Sequence, residues 1–109
     1  MGDVGVKKII IKNNIKMKNV KVSNMQSSRG NDIANQFEIR TSKGVYFQSY
    51  DSVIAFKPNA YDKKTILDKH TWDYSMTTGK YRNIFLREDK KETEKKIKDG
   101  VYLLRDLNK

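Results

Sequence analysis

The sequence has no cysteine and only one proline, one histidine and one tryptophan among its 109 residues. Without cysteine there is no disulfide framework, no thiolate metal site and no thiol nucleophile, which favours life in the cytoplasm. One histidine among scattered carboxylates gives no recognised ligand spacing, so we expect no metal and no cofactor. No apolar run approaches the roughly 18 residues that a membrane span requires. We therefore expect no membrane association.

The scarcity of histidine also bears on catalysis. His70 is the only imidazole that could act as a general base. A triad can be assembled on paper from Ser75, His70 and Asp73, but local spacing does not supply the held geometry that such a triad needs. We therefore predict that the protein is not an enzyme.

Positive charge is what the sequence has in excess. It contains 23 Lys and Arg against 13 Asp and Glu, a net charge of +10, and residues 1–30 carry seven basic side chains against one acidic one. A field of this sign attracts polyanions. The expected partner is nucleic acid or a nucleoprotein complex, with an acidic host or defence protein as the alternative. The candidate phosphate contacts are Lys7, Lys8, Lys12, Lys16, Lys18, Lys21, Arg29, Lys80, Arg82 and Arg87.

The chain divides into a basic N-terminal arm, residues 1–16, and a single α+β domain, residues 17–109. Alternation of apolar and polar residues or short apolar runs predict strands at residues 17–23, 35–41, 45–50, 53–56 and 65–67. The sequence Ser42-Lys43-Gly44 predicts a tight hairpin turn. The run 53–56 is apolar on both faces, which indicates a central strand.

The last third of the chain favours helices. Tyr81, Ile84 and Phe85 have the i, i+3, i+4 spacing of a helix spanning residues 75–87, and we expect Trp72, Ile84 and Phe85 to belong to the core. A second helix begins at Asp89 and ends before Gly100, with residues 101–104 as a final edge strand. The predicted fold is α+β: a small curved antiparallel sheet of about five strands with two C-terminal helices.

The start of the first helix is also a candidate ligand site. Ser75, Thr77 and Thr78, with Lys80 one turn further, would present free backbone N–H groups and a positive helix end to an anion. The alternative is that these hydroxyl groups simply cap the helix, with Thr77 or Thr78 in the first turn.

Several motifs together resemble a recurrent family of small, functionally uncharacterised proteins from tailed-phage genomes. They are SRGN at residues 28–31, NQF at 35–37, FQSYxSxIA at 47–55 and WDYSxTTGKYRN at 72–83. The resemblance covers about residues 20–108 and leaves the basic arm outside. It implies a phage product made in the cytoplasm of the bacterial host, and it carries over no catalytic residue.

Three functions remain open at this point. The first is a non-enzymatic phage accessory protein that binds nucleic acid, or a nucleic-acid-bearing host or defence complex, through its basic surface. The second is an inhibitor of a host or anti-phage defence protein, anchored by exposed tyrosines such as Tyr46, Tyr50 or Tyr61. The third is a protein that sequesters a nucleotide signal at the helix start.

Overall fold

The structure is a computed structural model that describes residues 20–109. Expectations for residues 1–19, among them the boundary of the arm at residue 16, lie outside the described residues. So do five of the candidate phosphate contacts: Lys7, Lys8, Lys12, Lys16 and Lys18.

Within the described residues, six strands form one sheet in which spatial order follows chain order. The strands are β1 (Lys21–Gln26), β2 (Asp32–Thr41), β3 (Gly44–Ser49), β4 (Ser52–Pro58), β5 (Ile66–Asp68) and β6 (Leu103–Arg105). Two helices, α1 (Met76–Leu86) and α2 (Lys90–Lys98), lie between β5 and β6. The predicted α+β class is confirmed, with one strand more than expected.

The sheet is antiparallel from β1 to β5, and β6 pairs parallel to β5. A parallel partner cannot follow through a tight turn, because the chain must first return to the other end of the sheet. The two helices make that return. Neither of them is long and apolar enough to cross a membrane.

The main core lies between the sheet and α1. Phe47, Ile54 and Leu67 are fully buried there with Phe85, and the rings of Phe47 and Phe85 are 5.6 Å apart. Trp72 packs against this cluster while partly exposed. The expected core role is therefore confirmed for Phe85 and, at partial burial, for Trp72.

A second, smaller cluster lies on the opposite face of the sheet. Side chains alternate between the two faces of a strand, so Tyr46 points away from the face on which Phe47 contacts α1. Tyr46 packs there with Ile39 and Val53, each only 1% exposed. Burial on both faces confirms the prediction of a central strand at residues 53–56.

Helix α1 presents a different face to the core than the sequence predicts. Its buried residues are Thr78, Arg82 and Phe85, whereas Ile84 is 51% exposed. The prediction of Ile84 as a core residue is wrong, because the inward stripe follows the spacing 78, 82, 85 and places residue 84 beside it. The N-cap is Ser75, whose hydroxyl accepts the backbone N–H of Thr78 at 3.1 Å.

Helix α2 begins and ends as predicted. The Asp89 side chain accepts the backbone N–H of Glu92 at 2.9 Å, and Gly100 adopts a left-handed φ of 77° after the last turn. Glu88, just before this helix, accepts hydrogen bonds from Thr93, Lys96 and Tyr102. That carboxylate joins the α1–α2 connection to the segment leading into β6.

Candidate nucleic-acid interface

Four of the predicted phosphate contacts lie on the described surface. Lys21, Arg29, Lys80 and Arg87 are all exposed, and none of them forms an ion pair within residues 20–109. Lys21 begins β1, and Arg29 lies in the turn that follows this strand. Lys80 lies within α1, and Arg87 is the C-cap of this helix.

Arg82 does not belong to that surface. Its side chain is 1% exposed, and its guanidinium donates to the Trp72 carbonyl at 2.7 Å, to Asp73 at 3.1 Å and to Asn83 at 2.9 Å. It also lies over the Trp72 ring, 5.2 Å from the ring centroid. The prediction of Arg82 as a phosphate contact is therefore wrong. An arginine on the inward stripe of a helix is held by carbonyl and carboxylate partners instead of by a ligand.

The strand register brings several cations together on one face of the sheet. Lys21 of β1 is opposite Arg40 of β2, Arg40 is opposite Val45 of β3, and Val45 is opposite Lys57 of β4. Paired residues share a face of the sheet, and Val45 packs against the cluster under α1. Lys21, Arg40 and Lys57 therefore form a cross-strand row on the α1 side.

Arg87 completes this group at the end of α1. The Lys57 ammonium donates to the carbonyl of Phe85 at 2.9 Å, two residues before Arg87. Burial lowers the pKa of Lys57, and the positive charges of Arg87 and Arg40 lower it further against the opposing effect of Glu38. We call Lys21, Arg40, Lys57 and Arg87 the basic cluster.

A groove lies between β1 and α1, close to the basic cluster. Helix α1 packs over β3 and β4, and Met25 of β1 is buried in the same core cluster. The groove, of about 430 Å³, is lined by Ser23, Asn24, Met25, Gln26, Glu38 and Ile84. Glu38 bonds Arg40 at 3.1 Å, so the cluster adjoins the groove lining. We call it the β1–α1 groove.

Helix α1 extends the positive charge along this groove. Lys80 and Ile84 are spaced four residues apart, so they lie on one side of the helix, and both are exposed. Ile84 lines the groove, with Lys80 one turn before it. Arg87 follows the last helical residue as the C-cap, in a left-handed conformation with a φ of 59°. The exposed isoleucine thus follows one cation on its own helical face and precedes another at the end of the helix.

Sequence reasoning missed Arg40 and Lys57. Arg40 lies in a strand of alternating residues, and Lys57 follows an apolar run just before Pro58. The missing step was the register, because neither residue is near Lys21 or Arg87 in sequence. The tight turn at Ser42 and Lys43 accounts for the pairing of Arg40 with Val45, but the pairing of Val45 with Lys57 depends on the β3–β4 connection and its bulge.

The predicted anion site at the start of α1 is contradicted at two residues. Thr78 is fully buried, and its hydroxyl is 3.1 Å from that of Ser49 in β3. The Ser75 hydroxyl is engaged as the N-cap. Thr77 and Lys80 are exposed, but they do not make an anion site without these partners. The capping interpretation is confirmed for Ser75.

The three residues of the candidate catalytic triad, Ser75, His70 and Asp73, do not contact one another as a triad would. His70 is exposed, with its ring nitrogen Nε2 4.0 Å from Asp106, while Asp73 bonds Arg82 and Lys90. Among the described residues, no group of three or more His, Asp or Glu side chains could hold a metal ion. The absence of enzymatic activity and of cofactors stays a prediction.

Comparison with known proteins identifies the family and leaves its activity open. Neither the curated proteins nor the solved structures contain a significant match. Residues 20–100 match a family of unknown function, DUF8033. This range includes all of β1 to α2, and with them the basic cluster and the β1–α1 groove. The chain belongs to the DUF8033 family of unknown function.

Proposed function

We propose that this protein binds nucleic acid through the basic cluster and the β1–α1 groove. The observation that carries the proposal is the row in which Lys21 is directly opposite Arg40, with Lys57 and Arg87 beside it. Like charges placed opposite one another destabilise a sheet. Glu38 compensates part of this charge at Arg40, and a polyanion bound along the row would relieve the repulsion that remains.

The distribution of acidic groups supports the same function. Asp68 is buried at the end of β5, Glu88 has a 6% exposed side chain, and Asp73 is shared between Arg82 and Lys90. These carboxylates are used inside the fold, where they bond backbone and side-chain donors. Positive charge is left in excess on the surface, where it can attract phosphate groups.

The arm adds to this charge in the proposal. Lys16 and Lys18 precede Lys21 by a few residues, and Lys7, Lys8 and Lys12 come before them. In the setting proposed from the resemblance to tailed-phage proteins, the protein acts as an accessory protein in the cytoplasm of the bacterial host. Its partner there is nucleic acid or a nucleoprotein complex.

The test is the salt dependence of binding to a fluorescently labelled oligonucleotide, followed by anisotropy. On a single-stranded oligonucleotide, affinity should fall by roughly three-hundredfold between about 50 and 200 mM salt if about six phosphates are neutralised. A Lys21→Gln/Arg87→Gln variant should reduce the slope of log K against log salt by about 1.4 on single strands, since each lost phosphate contact removes about 0.7.

The matched control removes the same charge elsewhere. Lys91 and Lys98 are exposed on α2 and form no ion pair within the described part of the chain. A Lys91→Gln/Lys98→Gln variant should keep the wild-type slope. Equal slopes for the two double variants, or no binding at low salt, would contradict the proposal.

Exposed tyrosines favour the second candidate function, an inhibitor that docks on a host or defence protein. Tyr61 is fully exposed and Tyr50 is half exposed, whereas Tyr46 is partly buried against Phe56 and is the weaker anchor. A pull-down from bacterial lysate, with and without nuclease, separates the two functions. The inhibitor function is favoured if a host protein is still captured after nuclease treatment and is no longer captured by the Tyr61→Ala variant.

A further inference from the structure

An aromatic groove lies on the sheet face opposite α1. Tyr46 and Phe56 are paired across β3 and β4, with ring centroids 4.4 Å apart and planes tilted by 35°. Both rings are partly exposed and line a groove of about 570 Å³, together with Ser42, Lys43, Pro58, Asn59, Ala60 and Lys63. We call it the aromatic groove.

The walls of this groove are held in place by the backbone. Asn59, in the loop after β4, donates its backbone N–H to the Lys43 carbonyl at 2.9 Å. Its side-chain amide donates to the Ser42 carbonyl at 3.1 Å. These bonds tie the two loops that form the rims, so the groove exists before any ligand binds.

Each rim carries an exposed lysine. Lys43 lies in the β2–β3 turn and Lys63 in the β4–β5 loop, and both side chains are exposed. Neither forms an ion pair with any residue from 20 to 109. Two partly exposed aromatic rings between two lysines without an ion-pair partner among residues 20–109 match the ring and the phosphate groups of a nucleotide.

We propose that the aromatic groove binds a base of single-stranded nucleic acid, which stacks on Tyr46 and Phe56 while the flanking phosphates contact Lys43 and Lys63. The inference rests on the proposed function and narrows its ligand to single strands, because a duplex keeps its bases stacked on one another. The Tyr46–Phe56 pair is next to the Val45–Lys57 pair along β3 and β4, and because side chains alternate, the two pairs lie on opposite faces of the sheet. A flexible single strand can therefore pass around this end of the sheet from the basic cluster to the aromatic groove.

The decisive comparison uses two ligands with equal charge. Wild-type protein is titrated with a labelled 12-residue oligothymidylate and with an abasic deoxyribose-phosphate strand of the same length. Stacking on an aromatic ring contributes about 1–3 kcal/mol per base, so the base-containing strand should bind roughly 5- to 150-fold more tightly. The duplex form of the oligonucleotide should lose this advantage.

Two variants test the rings themselves. Phe56→Leu and Tyr46→Leu keep an apolar side chain but remove the aromatic face, so each should reduce the preference for bases while leaving affinity for the abasic strand unchanged. Tyr74→Leu, at a half-exposed tyrosine near the start of α1, should keep the preference. Circular dichroism and thermal unfolding check that each variant is folded. If Tyr46→Leu does not fold, the Phe56→Leu variant alone tests the role of the rings.

The outcomes separate this inference from the proposed function. Equal binding of base-containing and abasic strands would overturn the inference and leave nucleic-acid binding in place. Binding of neither strand would overturn both. Self-association in sedimentation experiments that disappears in Phe56→Leu would show that a second copy of the chain fills the groove, which would also overturn the inference.

Discussion

At the residue scale, Arg82 shows how one side chain can hold a junction together. It sits on the inward side of α1 and bonds the Trp72 carbonyl, the Asp73 carboxylate and the Asn83 side chain. These partners belong to the segment that leads from β5 into α1 and to α1 itself. The guanidinium therefore fixes the angle at which the chain enters the helix.

Replacing Arg82 should destabilise the protein strongly. In Arg82→Met the shape is kept roughly, but the Trp72 carbonyl and the Asn83 side chain lose their donor and Asp73 loses its buried partner. We expect the free energy of unfolding to fall by about 3 kcal/mol, the usual loss when a buried pair is broken from one side. Urea denaturation followed by tryptophan fluorescence measures it.

The control variant removes Lys90, the second cation that pairs with the Asp73 carboxylate. Lys90 bonds the same carboxylate at 2.7 Å, but its side chain is half exposed. Because water can replace an exposed partner, Lys90→Met should cost far less stability than Arg82→Met. Similar losses in the two variants would mean that burial does not distinguish the two partners.

At the element scale, the β2–β3 hairpin determines which residues meet. The Thr41 hydroxyl accepts the backbone N–H groups of Lys43 and Gly44, which closes the turn. Gly44 has a φ of 153° and packs so closely on β4 that an added Cβ would lie 2.3 Å from the Lys57 carbonyl oxygen. This contact keeps β3 in register with β4, and so places Val45 between Arg40 and Lys57.

Gly44→Ala should disrupt the hairpin. The new methyl group must displace the backbone of β4, so we expect a loss of about 2 kcal/mol or more, comparable to overpacking in a core. Gly30→Ala is the matched control, because Gly30 also has a positive φ, 83°, but has no atom within 4 Å of an added Cβ. It should lose only about 1 kcal/mol from backbone strain.

The readout is chemical denaturation, with binding measured on the folded fraction. Equal losses of stability at positions 30 and 44 would show that φ alone matters and that the close approach to β4 does not. A Gly44→Ala protein that remains folded should also bind oligonucleotide more weakly, since a shifted β4 separates Lys57 from Arg40.

Elements with a local signal could be predicted from the sequence. The β2–β3 hairpin carries alternation and a turn glycine, and α2 carries both its N-cap and its terminal glycine. The inward stripe of α1 could not be predicted from the sequence. The spacing of Tyr81, Ile84 and Phe85 fits one face of a helix as well as the spacing of the residues that are actually buried does. Only the folded segment between β5 and α1 favours Arg82 over Ile84, because Trp72 and Asp73 supply partners that the guanidinium needs.

At the scale of the whole molecule, Asp68, Asp73 and Glu88 hold distant segments together, while most of the described cations, the buried Arg82 excepted, stay at the surface. Asp68 accepts hydrogen bonds from the backbone of His70 and Thr71, from the Thr71 hydroxyl and from the backbone of Leu107. It thereby joins the end of β5 to the C-terminal segment after β6. Burial alone would raise the pKa of Asp68, but the hydrogen bonds outweigh it and lower the pKa.

Stability should therefore decline in acid. The pKa values of Asp73 and Glu88 are also lowered, since burial that would raise them is outweighed by bonds from Lys90 and Arg82 and from Lys96, Thr93 and Tyr102 respectively. A carboxylate with a lowered folded-state pKa stabilises the fold above its unfolded pKa, which is about 4. The contribution is lost as the pH falls from about 4 through the lower folded values.

Urea denaturation at pH 7, 5, 4 and 3 measures this decline. Asp68→Asn should be less stable at pH 7 and should show a smaller drop in acid, because one of the three titrating groups is gone. Asp62→Asn, at an exposed position in the β4–β5 loop, should follow the wild-type curve. A stability that stays constant down to pH 3 would contradict the role assigned to the three carboxylates.

The candidate site could be predicted only in part. Lys21, Arg29, Lys80 and Arg87 were identified from charge alone and do lie on the surface, although charge alone also selected the buried Arg82. Arg40 and Lys57 were missed, and so was the pairing of Tyr46 with Phe56. Each of these depends on which strand residues are opposite one another, and composition contains no such information.

The sequence by itself determined the class of fold, the excess of positive charge and most element boundaries, because alternation, capping residues and turn glycines act over a few neighbouring positions. The tertiary structure alone decided which of the described cations lie at the surface and where they gather. Burial and strand register depend on residues far apart in the chain. Burial places Arg82 inside the fold, and the strand register together with the packing of α1 brings Lys21, Arg40, Lys57 and Arg87 close to one another. Charge is a local property of a residue, whereas a charged surface is a property of the folded chain.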